Sequence, residues 1–388
     1  MGEQGGHDRP AAPGRAPHQG TLLRLLREHG PASRSGLAEL TGLSPTTVGK
    51  AVGPLVESGV LREVAEPPRG GLGRPALLLH PVPEAVTVCG VQIGVGTVRI
   101  GLADGSAGVH ALRVVPFDVG ADPRTVLDAV AGAVRELLDE RGGGCLGVGV
   151  AVPGPVDPDG RRVRLAANLG WRDVPVADPL EQRLGLPVVV DHNVRSMALG
   201  EARYGDRGTD TLAYLYVRTG VGLGLTLGGQ PFYGGAGGES HLGHVKVVDD
   251  GILCSCGAHG CLETAVAEPY LLRALAALDV DPAPGVLPAL HAAAAAGNAG
   301  AVVLEERVLD TLAAALATVV DLFTPGLVLV GGLLAEAPER QVTTLRERTR
   351  DRLFPLLRED FRLERADGSD AALVRAAAAV ALERLHYA

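Results

Sequence analysis

Positions 244–263 read His244-Val245-Lys246-Val247-Val248-Asp249-Asp250-Gly251-Ile252-Leu253-Cys254-Ser255-Cys256-Gly257-Ala258-His259-Gly260-Cys261-Leu262-Glu263. Three of the chain's five cysteines crowd into this stretch, and His244 ends a Gly-His pair upstream of them. Three thiolates and one imidazole form a closed tetrahedral ligand set for zinc, with no open position for a water nucleophile. His244, Cys254, Cys256 and Cys261 are therefore the expected ligands of a structural Zn²⁺, and His259, inside the loop, is the poorer candidate. Cys89 and Cys145 flank apolar runs and read as small core residues. In a cytoplasmic chain this clustering points to a metal site rather than to disulfides.

The 388 residues are 46% hydrophobic, 21% charged and 3% aromatic, enough for two or three domains with cores built from Leu, Val and Ala. No run approaches the ~20 uncharged apolar residues that span a bilayer. Met1 to Gly20 lacks the apolar centre of a signal peptide. The expectation is a cytoplasmic protein with no membrane partner. A net charge of −9 excludes a basic coat for nucleic acid. Its distribution is uneven, with nine basic and seven acidic residues in 1–80 against 27 and 38 beyond, so DNA contact is expected only at the head.

Residues 1–19 read as a disordered tail and 20–80 as a DNA-binding domain. Leu22, Leu23, Leu25 and Leu26 give a first helix an apolar face, and Gly30-Pro31 stops it. Ser35 to Leu40 forms a second helix, and Ser44-Pro45 opens a third with a serine N-cap and a proline in the first turn. Val48, Val52, Leu55 and Val56 face the core, which leaves Thr46, Thr47, Gly49, Lys50 and Gly53 outside. This is the helix-turn-helix plan, whose last helix enters a major groove. Strand-like runs at Val60–Val64 and Ala76–Leu79 flank a Gly/Arg/Pro loop, forming a wing that carries Arg69 and Arg74 toward a minor groove. Thr46, Thr47, Lys50, Arg69 and Arg74 are the expected contacts to operator DNA; a three-helix protein-interaction module is the plainer alternative.

Pro81 to Pro83 reads as a linker. From 84 to 388 strand-like runs alternate with helical ones, an α/β pattern. Strands are expected at Val86–Val91, Val98–Leu102, Leu146–Val150, Val188–Val190, Leu212–Val217 and Leu327–Val330. Helices are expected at Leu127–Leu138, Pro269–Leu278, Val302–Phe323 and Ala371–Leu385. The alternating charges of Arg346 to Arg352 read as a solvated helix face.

The cysteine string, with its upstream Gly-His, resembles the ROK family of repressors, open reading frames and sugar kinases. The resemblance covers about residues 20–388, since many ROK repressors place a winged helix-turn-helix before the kinase fold. Val152-Pro153-Gly154-Pro155-Val156-Asp157 resembles the family's VPGPVD turn, and Asn168-Leu169-Gly170-Trp171 its NLGW sugar loop. Thr219-Gly220-Val221-Gly222 is similar to its phosphate-facing loop, and Gly331-Gly332 to its nucleotide-side glycine pair. The resemblance implies a winged helix-turn-helix followed by a two-lobed, actin-like sugar-kinase fold. It also implies a monosaccharide or sugar-derivative effector held by Asn168, Asn193, His241, His244 and Glu263, and a homodimer or homotetramer.

Three departures from the family pattern bear on function. Family kinases carry an Asn-Asp pair ahead of the AxGE helix, the aspartate being the base that deprotonates the sugar. Here counting back from Gly200-Glu201 places His192-Asn193 at that pair. An amide accepts no proton at neutral pH, and general-base catalysis is worth about 10²–10⁴-fold. Only a register shift would let Asp191 serve instead. At the first phosphate loop Gln92 replaces the acid that helps hold magnesium, an ion that favours carboxylate and phosphate oxygens. At Glu-x-Gly-His the chain has His241-Leu242-Gly243-His244, with Glu239 two residues too early. These departures predict a degenerate kinase that binds sugar without phosphorylating it; the alternative is an active ATP-dependent sugar kinase carrying a DNA-binding head.

Overall fold

The computed structural model describes residues 18–66, 76–234 and 238–388. The head comprises α1 (Gln19–His29), β1 (Ala32–Ser33), α2 (Arg34–Thr41), α3 (Pro45–Glu57), β2 (Leu61–Glu66) and β3 (Ala76–Pro81). Its sheet order is β1-β3-β2, with every pairing antiparallel. The Ser44 hydroxyl caps α3 by accepting from Thr47 N at 3.1 Å, with Pro45 in the first turn, as its sequence predicts. Leu22, Leu23, Leu26, Leu37, Val48, Val52 and Leu55 form the core. Gln19 departs from the expected tail, because it is buried in α1 and donates to the Ala51 carbonyl at 3.0 Å. The head's core is continuous with the body through Val86, Val88, Ala103, Leu382 and Leu385.

The first lobe runs through β4 (Thr87–Ile93), β5 (Thr97–Asp104), β6 (Val109–Pro116), α4 (Pro123–Arg141), β7 (Val148–Val152), a hairpin of β8 (Arg162–Ala166) and β9 (Trp171–Pro175), α5 (Ala177–Leu184) and β10 (Val188–His192). Helix α6 (Asn193–Tyr204) leads out of it. The second lobe holds β11 (Leu212–Val217), β12 (Val221–Leu227), β13 (Gln230–Pro231), α7 (Leu262–Val266), α8 (Glu268–Ala277), α9 (Val286–Ala295) and α10 (Ala299–Phe323). It is completed by β14 (Leu327–Gly332), α11 (Leu333–Glu336), α12 (Glu339–Arg352) and β15 (Leu363–Arg365), after which α13 (Asp370–Ala381) returns to the first lobe.

The two sheets, β6-β5-β4-β7-β10 and β13-β12-β11-β14-β15, repeat one topology. Each begins with an antiparallel three-strand meander and adds two parallel strands beside its first strand. One helix presses on each sheet. A Cβ at Gly149 would fall 2.1 Å from the Ala377 carbonyl of α13, and one at Gly224 would fall 2.2 Å from the Val194 carbonyl of α6. Glycine is thus required for each helix to seat. The run of buried alanines at 376–379, with Ala381, lets α13 lie close to both the sheet and α6.

All six expected strands and four expected helices are present, β11 with the expected bounds and the others with shifted ends. Strand β12 lies partly in the stretch read as a glycine loop, since Val221 and Gly222 pair with Val217 and Tyr216. Cys89 is buried in the first-lobe core, whereas Cys145 is only half-buried beside it. The arginines of α12 are not merely solvated: Arg348 pairs with Glu306 at 2.5 Å and Asp310 at 3.0 Å, and Arg352 pairs with Asp310 at 2.9 Å. Charge alternation on α12 meets acids on α10, which one-helix reading does not see. No helix among the described residues is long and apolar enough to cross a membrane.

Candidate functional site

The loop after β13 returns the four expected metal ligands to one point. Ligand atoms of His244, Cys254, Cys256 and Cys261 all lie within 4.8 Å of one another. His244 Nδ1 is 3.6 Å from Cys254 Sγ, and Cys256 Sγ is 3.6 Å from Cys261 Sγ. A disulfide would need about 2.05 Å, whereas tetrahedral ligands about 2.0–2.3 Å from Zn²⁺ stand roughly 3.5–3.8 Å apart. The donor set therefore fits zinc. His259 lies outside the set and places Nδ1 2.9 Å from the Gly251 carbonyl. Gly260 is indispensable to the turn: φ is +75° and a Cβ would fall 1.8 Å from the Val248 carbonyl.

Cys261 N-caps α7, which starts at Leu262 and fixes Glu263 in its first turn. Glu263 Oε2 accepts from Val221 N at 3.3 Å, and its Oε1 lies 3.7 Å from Cys254 Sγ. Asn168, exposed after β8, donates Nδ2 to Thr219 Oγ1 at 3.3 Å. A Cβ at Gly220 would come 2.8 Å from Glu263 Oε2 and 3.4 Å from Asn168 Nδ2. First-lobe and second-lobe side chains thus converge on one bare backbone turn, presenting an amide, a hydroxyl and a carboxylate suited to hydroxyl recognition.

The other expected sugar residues are Asn193, His241 and His244. His241 and His244 have ring centroids 6.3 Å apart, and both are exposed. His192 is buried and held neutral, its pKa pushed down to about 3 by burial, with the Arg195 charge adding to the effect. Asn193 opens α6, and its Oδ1 accepts from Val194 N at 2.8 Å. Among the described residues Asn193 shares no hydrogen bond with Asn168, His241 or Glu263.

Asp191 does not turn toward this group. Its Oδ1 accepts from Arg195 Nε at 2.7 Å and its Oδ2 from Tyr233 Oη at 3.0 Å, with Arg384 3.9 Å away. Burial works to raise its pKa, but Arg195 and Arg384 outweigh that and hold the carboxyl below its ordinary range. An ionised acid tied to two guanidiniums positions structure and is not free to act as a base. Glu239, set aside in the sequence pattern, proves to be buried beside them. Its Oε1 accepts from Val156 N at 3.1 Å in the VPGPVD turn, while Oε2 has no partner. Burial pushes Glu239 up to about 7 against the pull of Arg195. No sequence signal marks this, because the contact joins residues 83 positions apart.

At the first phosphate loop, Gln92 is buried and its Oε1 accepts from Arg99 Nη1 at 3.3 Å; Arg99 is ion-paired to Asp370. The Arg99 guanidinium therefore lies against Gln92, the position at which the resemblance leads one to expect an acid. On the nucleotide side, Gly331 and Gly332 end β14, and a Cβ at Gly332 would fall 2.1 Å from the Val217 carbonyl. That pair has a packing reason of its own.

In the head, Thr46 and Lys50 are exposed on the outer face of α3. Thr47 is half-buried with its hydroxyl 2.8 Å from Ser44 Oγ, so it belongs partly to the cap. Arg69 and Arg74 lie outside the described residues.

Residues 18–62 match the winged helix-turn-helix DNA-binding family. The chain is 30% identical over 66% of its length to a putative xylose repressor of Caldicellulosiruptor sp. (strain Rt8B.4) and spans 65% of that relative. It is 31% identical over 69% of its length to the glucokinase of Thermotoga maritima, spanning 88% of that protein. A solved ROK family transcriptional regulator, a homologue of the E. coli MLC protein, superposes with a TM-score of 0.80 at 23% identity, covering 95% of this chain and 96% of that one; at this identity the likeness concerns the fold. The doubled lobe topology, the Cys₃His cluster and the paired loops at Asn168 and Glu263 agree with a match to the ROK family over residues 88–384, and to that family the chain belongs.

Proposed function

We propose that the chain is a sugar-responsive transcriptional regulator of the repressor type, in which a degenerate kinase body binds a sugar or sugar derivative and the head binds operator DNA. The observation that carries this reading is helix α6. It starts at Asn193, with Val194 seated against Gly222 and Gly224 of β12, and ends at Arg203 and Tyr204, against the head. Arg203 pairs with Glu28 of α1 at 3.0 Å, and Arg27 of α1 donates to Tyr204 Oη at 3.1 Å. Its 12 residues span ~18 Å as one rigid rod. A sugar that shifts Asn193 would tilt the head, which is the differential contact that allostery requires.

Zinc, when bound by His244, Cys254, Cys256 and Cys261, supplies folding energy and fixes the turn that precedes α7. Glu263 is thereby oriented toward Gly220, while Asn168 approaches from the other lobe. Asn193 supports binding without turnover, since its amide takes no proton and Asp191 is committed to Arg195. The helix-turn-helix reads a half-site, so a homodimer or homotetramer on a two-fold operator follows from symmetry.

The test is fluorescence anisotropy of the zinc-loaded protein on its own upstream DNA, titrated with monosaccharides and amino sugars. Binding released or strengthened by one sugar supports the reading, and indifference to all of them counts against sugar control. The glucokinase relative favours a second reading, an active kinase with a DNA-binding head. Turnover in a coupled phosphorylation assay, abolished by Asn193→Ala, would establish it. Turnover gained only on Asn193→Asp would support a degenerate site.

A further inference from the structure

Helix α13 ends in a single π-turn, Leu382–His386, in which Tyr387 N donates to the Leu382 carbonyl at 2.9 Å. Such turns are rare and concentrate at functional positions. Consecutive residues on a helix point about 100° apart, and Glu383 and Arg384 accordingly serve different neighbours. Glu383 faces the head: its Oε1 pairs with Arg27 of α1 and accepts from Tyr204 Oη, at the end of α6, at 3.0 Å. The Tyr387 carbonyl, just past the turn, accepts from Arg24, also on α1.

Arg384 faces the second lobe. Its Nη2 donates to Tyr233 Oη at 3.1 Å, and Tyr233 Oη donates to Asp191 Oδ2 at 3.0 Å. The Tyr233 ring also lies against two guanidiniums, with Arg195 Cζ 4.3 Å and Arg384 Cζ 5.7 Å from its centroid. Tyr233 belongs to the segment between β13 and His241, which Glu239 anchors to the first lobe by accepting from Val156 N. The side chains of Arg27, Glu383, Arg384 and Asp191 are mostly buried, where charge-assisted hydrogen bonds are strong and a displaced partner is costly. We propose that the Glu383–Arg384 turn couples the second-lobe segment to the head: displacement of Tyr233 passes through Arg384 to the turn, and through Glu383 to Arg27. Because Glu383 also holds Tyr204, movements of α6 and of the Tyr233 segment reach α1 through one carboxylate. The input, a sugar that shifts the segment bearing His241, rests on the sugar-responsive reading; the connection from Tyr233 to Arg27 does not.

The test is a double-mutant cycle on the full-length, zinc-loaded protein. Tyr233→Phe removes one hydroxyl and keeps the ring, and Glu383→Gln removes the charge opposite Arg27. Affinity for the upstream DNA and hydrogen exchange across α1 are read for each variant and for the pair. Tyr233→Phe speeds exchange in α1, and the pair departs from additivity about threefold or more in both readouts. Tyr233→Phe combined with Asp310→Asn, which touches only the Arg348 and Arg352 pairs of α12, is additive. Arg27→Lys gives a second cycle with Tyr233→Phe, so the result does not depend on one variant folding. Where a monosaccharide shifts DNA affinity, Tyr233→Phe shrinks that shift while calorimetry returns the parent's sugar affinity. Additivity in both cycles overturns the coupling, and so does an undiminished sugar shift in Tyr233→Phe. If the parent responds to no sugar, the sugar reading fails and the two cycles alone decide the coupling.

Discussion

The two lobes share a strand order and a helix seated on a glycine, yet their first hairpins differ in what they do with polar groups. In the first lobe, the turn between β4 and β5 is closed by side chains, Gln92 with Arg99 and Arg99 with Asp370 at the start of α13. In the second, the turn between β11 and β12 is left as bare backbone at Gly220, with Asn168 and Glu263 brought in from elsewhere. The same scaffold thus gives one hairpin closed by side chains and one left as bare backbone. Topology fixes where side chains meet, and residue type decides whether the meeting point binds anything.

The largest effect expected from breaking this contrast is at the metal set. Cys256→Ser removes one of four ligands from a site whose zinc affinity contributes on the order of 10 kcal/mol to folding. We expect loss of bound zinc, a large fall in the melting midpoint and loss of sugar response. A full response without metal would refute the role given to the loop. Next is Asp191→Asn, which leaves Arg195 and Arg384 buried without their counter-charge and costs about 3–5 kcal/mol in denaturant melts. Its sign with pH is fixed. A carboxyl whose folded pKa lies below the unfolded value near 4 stabilises above that value, and the stabilisation is lost as pH falls through the folded pKa. The variant should accordingly show a flatter acid limb.

Gly149→Ala and Gly224→Ala each drive a Cβ into a helix carbonyl, and each should cost about 1–3 kcal/mol or more. Comparable losses would show that the lobes are stabilised alike. A loss at only one would show that the repeat is topological and not energetic. The smallest effect is at Glu239, whose folded pKa of about 7 lies above its unfolded value. Here the folded state binds the extra proton, so stability declines as pH rises from about 4.5 through 7. Glu239→Gln should raise the melting midpoint at pH 8 and leave it nearly unchanged at pH 5.

Much of this contrast could be read in the chain beforehand. The apolar runs at 212–217 and 327–330 predict buried strands because continuous Val and Leu suit parallel pairing between covered faces. The metal loop was legible because cysteine spacing encodes proximity directly. Strand β12 was not, since Gly222 and Gly224 read as loop residues when their purpose is to admit α6. The surroundings of Glu239 and Asp191 were not legible, because spacing within a motif cannot show that Tyr233 and Arg384 reach Asp191, or that Val156 and Arg195 reach Glu239, from distant segments. Arg27 and Arg203, which no motif marks, are partly buried between head and body through partners equally distant in the chain.

The seating of α13 also has a consequence for how the molecule is made. Tyr387 Oη stands 3.5 Å from the Gly105 carbonyl, 282 positions earlier in the chain. At about 5–20 residues per second, translation of that interval takes on the order of tens of seconds. Throughout it, the face of the first sheet that α13 will cover stays open and the head lacks part of its core. The first lobe therefore completes its packing only after the second has been made, when residues 370–387 emerge and α13 closes over Gly90, Gly101 and Gly149.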